Sequence, residues 1–311
     1  APLCATALRR FEALDRPNLR SSHSRPIPRG GGVAVVLPVV VLMALAGDVP
    51  WRVRLAVAGA TGVLAMVGLA DDLTGGLGVA FRLVVVVVVG VVATALIAEP
   101  HGVVGPLAVG VGAVWVAGYL NAFNFMDGIN GIAGLHGALA GVLLGGIGSV
   151  DDHRFLAVAG WALAGGCVGF LPYNALRARV FLGDAGSYGI GAVIALLVVV
   201  AVKSGVPPEA AAGSLVPYLA DTSWTLAQRV RRGERWREAH RRHVYQRLTD
   251  GGRPHPHVAL FVAATSATTG VLGLVAFAGG AWRIVADVAV AVLASAYLAS
   301  PRVLDPGALP A

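Results

Sequence analysis

Residues 82–98 read RLVVVVVVGVVATALIA. Alone, Val84–Val89 would suit a buried strand. Its Leu- and Ala-rich continuation to Ala98 favours a helix facing lipid, where every backbone polar group must be satisfied within the segment. Comparable apolar runs lie at 33–47, 54–70, 105–120, 130–148, 155–172, 186–202, 210–228, 257–279 and 283–300. Each approaches the roughly 20 residues that a membrane crossing takes. The expected fold class is therefore all-α: a polytopic membrane helix bundle of ten complete spans. Ala1–Leu8 is apolar and runs straight into Arg9-Arg10, so it reads as the tail of a truncated first helix. The bundle is expected to be one domain over 1–311, with the loop 229–256 as its only substantial soluble element.

Composition agrees. The chain is 56% hydrophobic and 13% charged, against about 25% charged in soluble domains. Mean hydropathy is +0.74. The alternation of a membrane β-barrel is missing. A net charge of +7 would suggest nucleic acid in a soluble protein, but here the cations collect in particular loops. Two cysteines, Cys4 and Cys167, make no disulfide framework. Gly137, Gly141 and Gly145 recur every four residues and would form a smooth face for close helix packing.

Arginine sets the orientation. It fills the segment before the first complete span, the stretch at Arg177 and Arg179, and the loop 229–256. Alternation puts these loops on one side, and the positive-inside rule makes that side cytoplasmic. Arg52, Arg54, Arg154, Lys203 and Arg283 fall on the other.

Four polar stations land on the cytoplasmic side. Asp71-Asp72 closes a span, and two adjacent carboxylates need a divalent metal, a nearby Arg or a proton-bearing substrate to neutralise or separate them; the bland alternative is a solvated helix end. Asn124, Asp127 and Asn130 are spaced by three, so a continued helix would align them on one face. Their hard oxygen atoms suit Mg²⁺, whereas a plain helix cap needs fewer polar groups. In Phe181-Leu182-Gly183-Asp184, Asp184 either caps the following helix or ligates a metal, and free N–H groups there suit a phosphate. Phe181 is an interfacial anchor or a stacking face. His240-Arg241-Arg242-His243 makes a polyanion patch; lipid attraction explains the Arg but not the His. Asp221, within a span, is expected to meet an internal partner such as Arg229 or a hydroxyl.

This ordered set resembles the polyprenyl-phosphate N-acetylhexosamine-1-phosphate transferases, glycosyltransferase family 4. The similarity runs through Asp15-Arg16-Pro17-Asn18, Ser22-His23, Pro28-Arg29-Gly30-Gly31-Gly32 and the four stations. It implies transfer of a sugar 1-phosphate from a UDP-sugar to undecaprenyl phosphate in the bacterial inner membrane, with release of UMP. Asn124 and Asp184 would then be Mg²⁺ ligands, with Mn²⁺ as an alternative ion. Asp71 and Asp72 would arrange or deprotonate the lipid phosphate, with Asp127 in the same acidic cluster. Asn130 and Phe181 match positions near the uracil, and His240, Arg241, Arg242 and His243 match the loop facing diphosphate and sugar. Asn130 stands where many bacterial members carry Asp. The final motif lacks the triple His of the peptidoglycan translocase, and looks closer to O-antigen and exopolysaccharide initiators. Expected partners are the sugar nucleotide, the lipid phosphate and membrane lipid, not nucleic acid, with a homodimer left open. The rival from another class is a transporter or flippase for an anionic substrate, whose polar groups would lie at mid-membrane between repeats. This chain puts them at one edge.

Overall fold

The structure is a computed structural model that describes residues 14–15, 26–99, 104–235 and 240–304. The clipped helix expected at Ala1–Leu8, together with His23, lies outside them. A two-residue antiparallel pair, β1 (Leu14–Asp15) with β2 (Ile27–Pro28), precedes the helices. Then come α1 (Val33–Leu45), α2 (Trp51–Thr74), α3 (Val79–Ala98), α4 (Val104–Met126), α5 (Ile132–Val150), α6 (Arg154–Asn174) and α7 (Gly183–Lys203). The remainder is α8 (Pro208–Ala212), a 3₁₀ turn at Gly213–Leu215, α9 (Val216–Arg231), α10 (Val244–Asp250), α11 (His255–Leu274), a second 3₁₀ turn and α12 (Gly280–Leu304).

Every expected span has a helical counterpart, but not all ten have the expected form. Among the described residues, eight helices are long and apolar enough to cross a membrane. The span expected at 33–47 is a 13-residue helix containing Pro38. The span expected at 210–228 is broken into α8, the 3₁₀ turn and α9. The break follows from packing: a Cβ on Gly213 would come within 2.8 Å of the Thr269 carbonyl oxygen on α11. Pro208 and Pro217 each open the helix that follows, where a missing N–H is harmless.

α7 is the axis of the bundle. It is apolar on all sides, as a helix enclosed by others must be, and nearly every residue from Ala185 to Ala201 is buried. Its small residues allow backbones to touch, with Gly186 facing Gly32 and Gly189 facing Val36. The glycine face expected on α5 is met by α6: a Cβ on Gly141 would lie 2.6 Å from the Ala164 nitrogen.

The two ends of the bundle differ chemically. At one end His153 bonds Ser204 at 2.9 Å, Arg283 bonds Glu209 at 3.0 Å, and Glu99 pairs with both Arg52 and Lys203. Of these, Arg52, Lys203 and Arg283 were assigned above to the outer side. The opposite end gathers the carboxyl ends of α2 and α4 and the amino ends of α3 and α7, with Asp71, Asp72, Arg82, Asn124 and Asp184.

Candidate active site

The site is built where the segment before α1 locks onto the amino end of α7. Gly31 and Gly32 donate their N–H groups to the Phe181 and Leu182 carbonyls at 2.9 and 2.8 Å, and Phe181 donates to the Pro28 carbonyl at 2.8 Å. This pairing aims Arg29 inward. Its Nε lies 2.6 Å from Asp72 Oδ1, and its Nη2 lies 3.0 Å from Asp184 Oδ1.

Asp72 is saturated. It accepts the Asp184 N–H on Oδ1 and the Ala185 N–H on Oδ2, both at 3.0 Å, and its side chain is 0% exposed. It therefore caps α7 from another helix. The expectation that Asp184 caps its own helix is corrected, as is that of free N–H groups for a phosphate: Asp72 takes two of them. The fit needs glycine at 183, where φ is +73° and a Cβ would collide with the Asp72 carboxylate.

Asp71, one residue earlier, faces a different setting. Its Oδ1 accepts the Leu77 N–H at 2.5 Å, and its Oδ2 is 3.4 Å from Arg82 Nη1. The same Arg82 nitrogen is 3.3 Å from Asp184 Oδ2. Arg82 Nε is buried without a hydrogen-bond partner among the described residues. Sequence reasoning passed over Arg82 as a span boundary. The available signal was a cation one turn inside an otherwise apolar helix, the helix that follows the Asp pair.

Asn124 sits in the last turn of α4 and donates from Nδ2 to Ser187 Oγ at 2.8 Å and to Asp184 Oδ1 at 3.3 Å. The spacing-of-three expectation is otherwise corrected, because α4 ends at Met126 and Asp127 and Asn130 lie in the turn beyond. Gly131 closes that turn at φ +83°, and its N–H is held by Asn174 Oδ1 at 2.8 Å. Asn174 also reaches the Val180 carbonyl at 3.1 Å, tying this turn to the strap before Phe181. It too was missed, since a lone Asn at a helix end carries no signal. The Asp127 carboxyl is raised to about 7, first by burial and then by the negative Asp184, with Arg29 offsetting part.

The His/Arg loop docks beside this turn. Tyr245 donates its hydroxyl to the Phe125 carbonyl at 3.0 Å, in the space that Gly128 leaves open. His243 stacks 6.2 Å from the Phe125 ring, and His240 lies 4.9 Å from His243. Burial and neighbouring cations hold the His240 imidazole down at about 4. Arg241 is paired with Asp250 at 2.7 Å and Arg242 with Glu234. Asp221 partners His243 and hydroxyls, as expected of its kind of partner, while Arg229 bonds Glu234 instead.

Next to the polar patch opens an apolar groove of about 540 Å³ between α3, α4 and α9. Leu83, Val87, Val114 and Leu226 line it, and it reaches Asn121 and Phe125 in the last turns of α4.

The oxygen set fits a hard divalent ion in one particular way. No group of three His, Cys, Asp or Glu forms a closed metal cage among the described residues. Mg²⁺ needs none when substrate phosphates and water complete its shell around one or two carboxylates. Asp184, with the Asn124 amide turned to present its oxygen, supplies that partial set.

Comparison with known proteins gives a consistent result. Glycosyl transferase family 4 matches residues 54–202. A decaprenyl-phosphate N-acetylglucosaminephosphotransferase from Mycobacterium leprae is 30% identical, over 81% of this chain and 74% of that protein. Its Mycobacterium tuberculosis H37Rv counterpart is 31% identical, over 81% and 73%. An undecaprenyl-phosphate alpha-N-acetylglucosaminyl 1-phosphate transferase from Thermotoga maritima is 32% identical, over 62% and 58%.

Proposed function

The chain belongs to glycosyl transferase family 4, and from that premise we propose that it moves an N-acetylhexosamine 1-phosphate from a UDP-sugar to undecaprenyl phosphate, releasing UMP. It is an integral membrane protein. The proposed site faces the cytoplasm at the bacterial inner membrane, where a soluble donor and a lipid acceptor can meet. The observation carrying this reading is one polar patch, Asp71, Arg82, Asn124, Asp127 and Asp184, beside an apolar groove whose lining includes Leu83 and Phe125, the chain neighbours of Arg82 and Asn124. A polyprenyl chain fits such a groove, and its phosphate would then lie beside Arg82.

In the proposed reaction an oxygen of the lipid phosphate attacks the phosphorus that bears the sugar. The bond from that phosphorus to the bridging oxygen breaks, and UMP leaves. Both substrates are anionic, so positive charge must offset their repulsion. Mg²⁺ held by Asp184 and Asn124 would neutralise phosphate oxygens and polarise the attacked phosphorus. Arg82, with an unused Nε, would hold the attacking phosphate in line. Asp71, the Asp of the pair open to the patch, would orient that phosphate and accept its proton. Asp127 would keep a proton near neutrality and limit the charge of the cluster. Phe181 and Asn130 would bound the uracil, while His240, Arg241, Arg242 and His243 would meet the diphosphate and sugar, the arginines exchanging Asp250 and Glu234 for phosphate oxygen. Asp72 supports the site from beneath instead of touching substrate.

A transporter is disfavoured because the charges sit at one end of the bundle instead of mid-membrane. The test is purified protein with lipid acceptor and a panel of UDP-sugars. Mg²⁺-dependent UMP release requiring both substrates supports the transferase; its absence with every donor, alongside substrate uptake into vesicles, supports the transporter.

A further inference from the structure

Asp221 lies outside the acidic cluster and is 0% exposed. It sits on α9, a helix with one polar and one apolar face, and meets two other segments, the start of α10 and α12. Its Oδ1 accepts from His243 Nδ1 at 2.9 Å and Thr225 Oγ1 at 3.2 Å. Its Oδ2 accepts from the Val244 N–H at 2.9 Å and the Tyr297 hydroxyl at 3.1 Å. Four donors fill the roughly four lone-pair sites of an ionised carboxylate. The His243 ring packs against Phe125, at 6.2 Å, and Tyr245, at 6.0 Å and 7°. The backbone N–H of His243 donates to Gln246 Oε1 at 3.2 Å. Ring, backbone and carboxylate are thus fixed together.

We infer that Asp221 is a positioning residue that fixes the His243 imidazole as its Nδ1–H tautomer and so presents the Nε2 lone pair to the sugar nucleotide. This rests on the proposal that the His/Arg loop faces the donor. A carboxylate only accepts, so Nδ1 must donate and the neutral ring carries its lone pair on Nε2. That nitrogen can accept from a hydroxyl or an N-acetyl N–H of the donor. Lipid attraction alone would need neither a buried carboxylate nor a fixed tautomer.

The arrangement dictates what an amide at 221 would do. The Val244 N–H can only donate, so the Asn oxygen must take the Oδ2 position. The NH₂ group then faces His243 Nδ1, which must become an acceptor, and the ring proton moves to Nε2. Asp221→Asn therefore keeps the shape and reverses the tautomer, a change that disables a histidine held by a carboxylate.

The experiment is nitrogen NMR of full-length protein carrying ¹⁵N-histidine, recorded at about pH 9 to favour neutral imidazole. The His243 signals are assigned by their loss in His243→Gln. The wild type and Tyr297→Phe should carry the proton on Nδ1, and Asp221→Asn on Nε2. Donor kcat/KM should fall about 10²-fold in Asp221→Asn. A wild-type proton on Nε2 overturns the inference, whether or not Asp221→Asn folds. So does a reversed tautomer with unchanged donor kinetics. Absence of transfer by the wild type from any UDP-sugar, with its nitrogen spectrum as expected, is instead a failure of the donor reading.

Discussion

Asp72→Ala should damage the fold far more than Asp71→Ala. Asp72 accepts two N–H groups of α7 at 3.0 Å each, inside a site where its side chain is fully buried. Removing it orphans both donors at a helix end, and an unsatisfied buried N–H costs about 1–3 kcal/mol. Arg29 is 36% exposed, so water can resolvate it and its lost contact adds little. The sum is roughly 3–4 kcal/mol, with partial relief if water enters the gap. At roughly 2–4 °C per kcal/mol, the apparent Tm should fall on the order of 6–16 °C. Asp72→Asn should lose about half as much, since its amide oxygen still accepts one N–H. Asp71 holds one backbone donor, the Leu77 N–H, besides a longer contact to Arg82 and one to the Asp184 carboxyl, so Asp71→Ala should cost about 1 kcal/mol while abolishing most transfer. Thermal unfolding in one detergent, without substrates, measures all three. Equal Tm losses for Asp71→Ala and Asp72→Ala, or a wild-type Tm for Asp72→Ala, would refute the division of labour within the pair.

Three further outcomes are expected. Asp184→Asn should lower turnover at least about 10²-fold and shift the Mg²⁺ titration to higher concentration; an unaltered Mg²⁺ response would remove Asp184 from the metal set. Arg82→Ala should raise the KM for the lipid phosphate more than that for the UDP-sugar, with partial recovery in Arg82→Lys; the opposite split would place Arg82 on the donor. His240 is held down at about 4, so the unfolded chain binds more protons between there and the ordinary value of about 6.5. Its contribution to stability is lost as pH falls through that window and is complete above it. Apparent Tm should therefore rise more steeply from about pH 4.5 to 6.5 in the wild type than in His240→Gln, and parallel curves would contradict this.

Much of the fold was legible because each apolar run is local and its length sets a helix. What was not legible depends on contacts between runs. Gly213 and Pro217 were the local signs of a break within 210–228; where it falls depends on how Gly213 seats against Thr269 on α11. Asp71 and Asp72 are chemically identical neighbours, and only the approach of α7 makes one a cap and leaves the other in the patch. The spacing of Asn124, Asp127 and Asn130 misled because it assumed a helix that stops at Met126. The pairing of Asp221 with His243 joins residues on either side of a loop, where no periodicity could reveal it. The gathering of the stations at one end followed from parity of the spans, and the side-chain contacts agree with it.

The central claim is that a sugar 1-phosphate moves, not the sugar alone. The direct measurement uses purified protein, undecaprenyl phosphate, Mg²⁺ and UDP-N-acetylhexosamine labelled with ³²P at the phosphorus next to the sugar. The expected result is label extracted with the lipid, together with unlabelled UMP in the aqueous phase. Label remaining in water as UDP while sugar appears in the lipid, or no lipid product from any donor in the panel, would contradict the account.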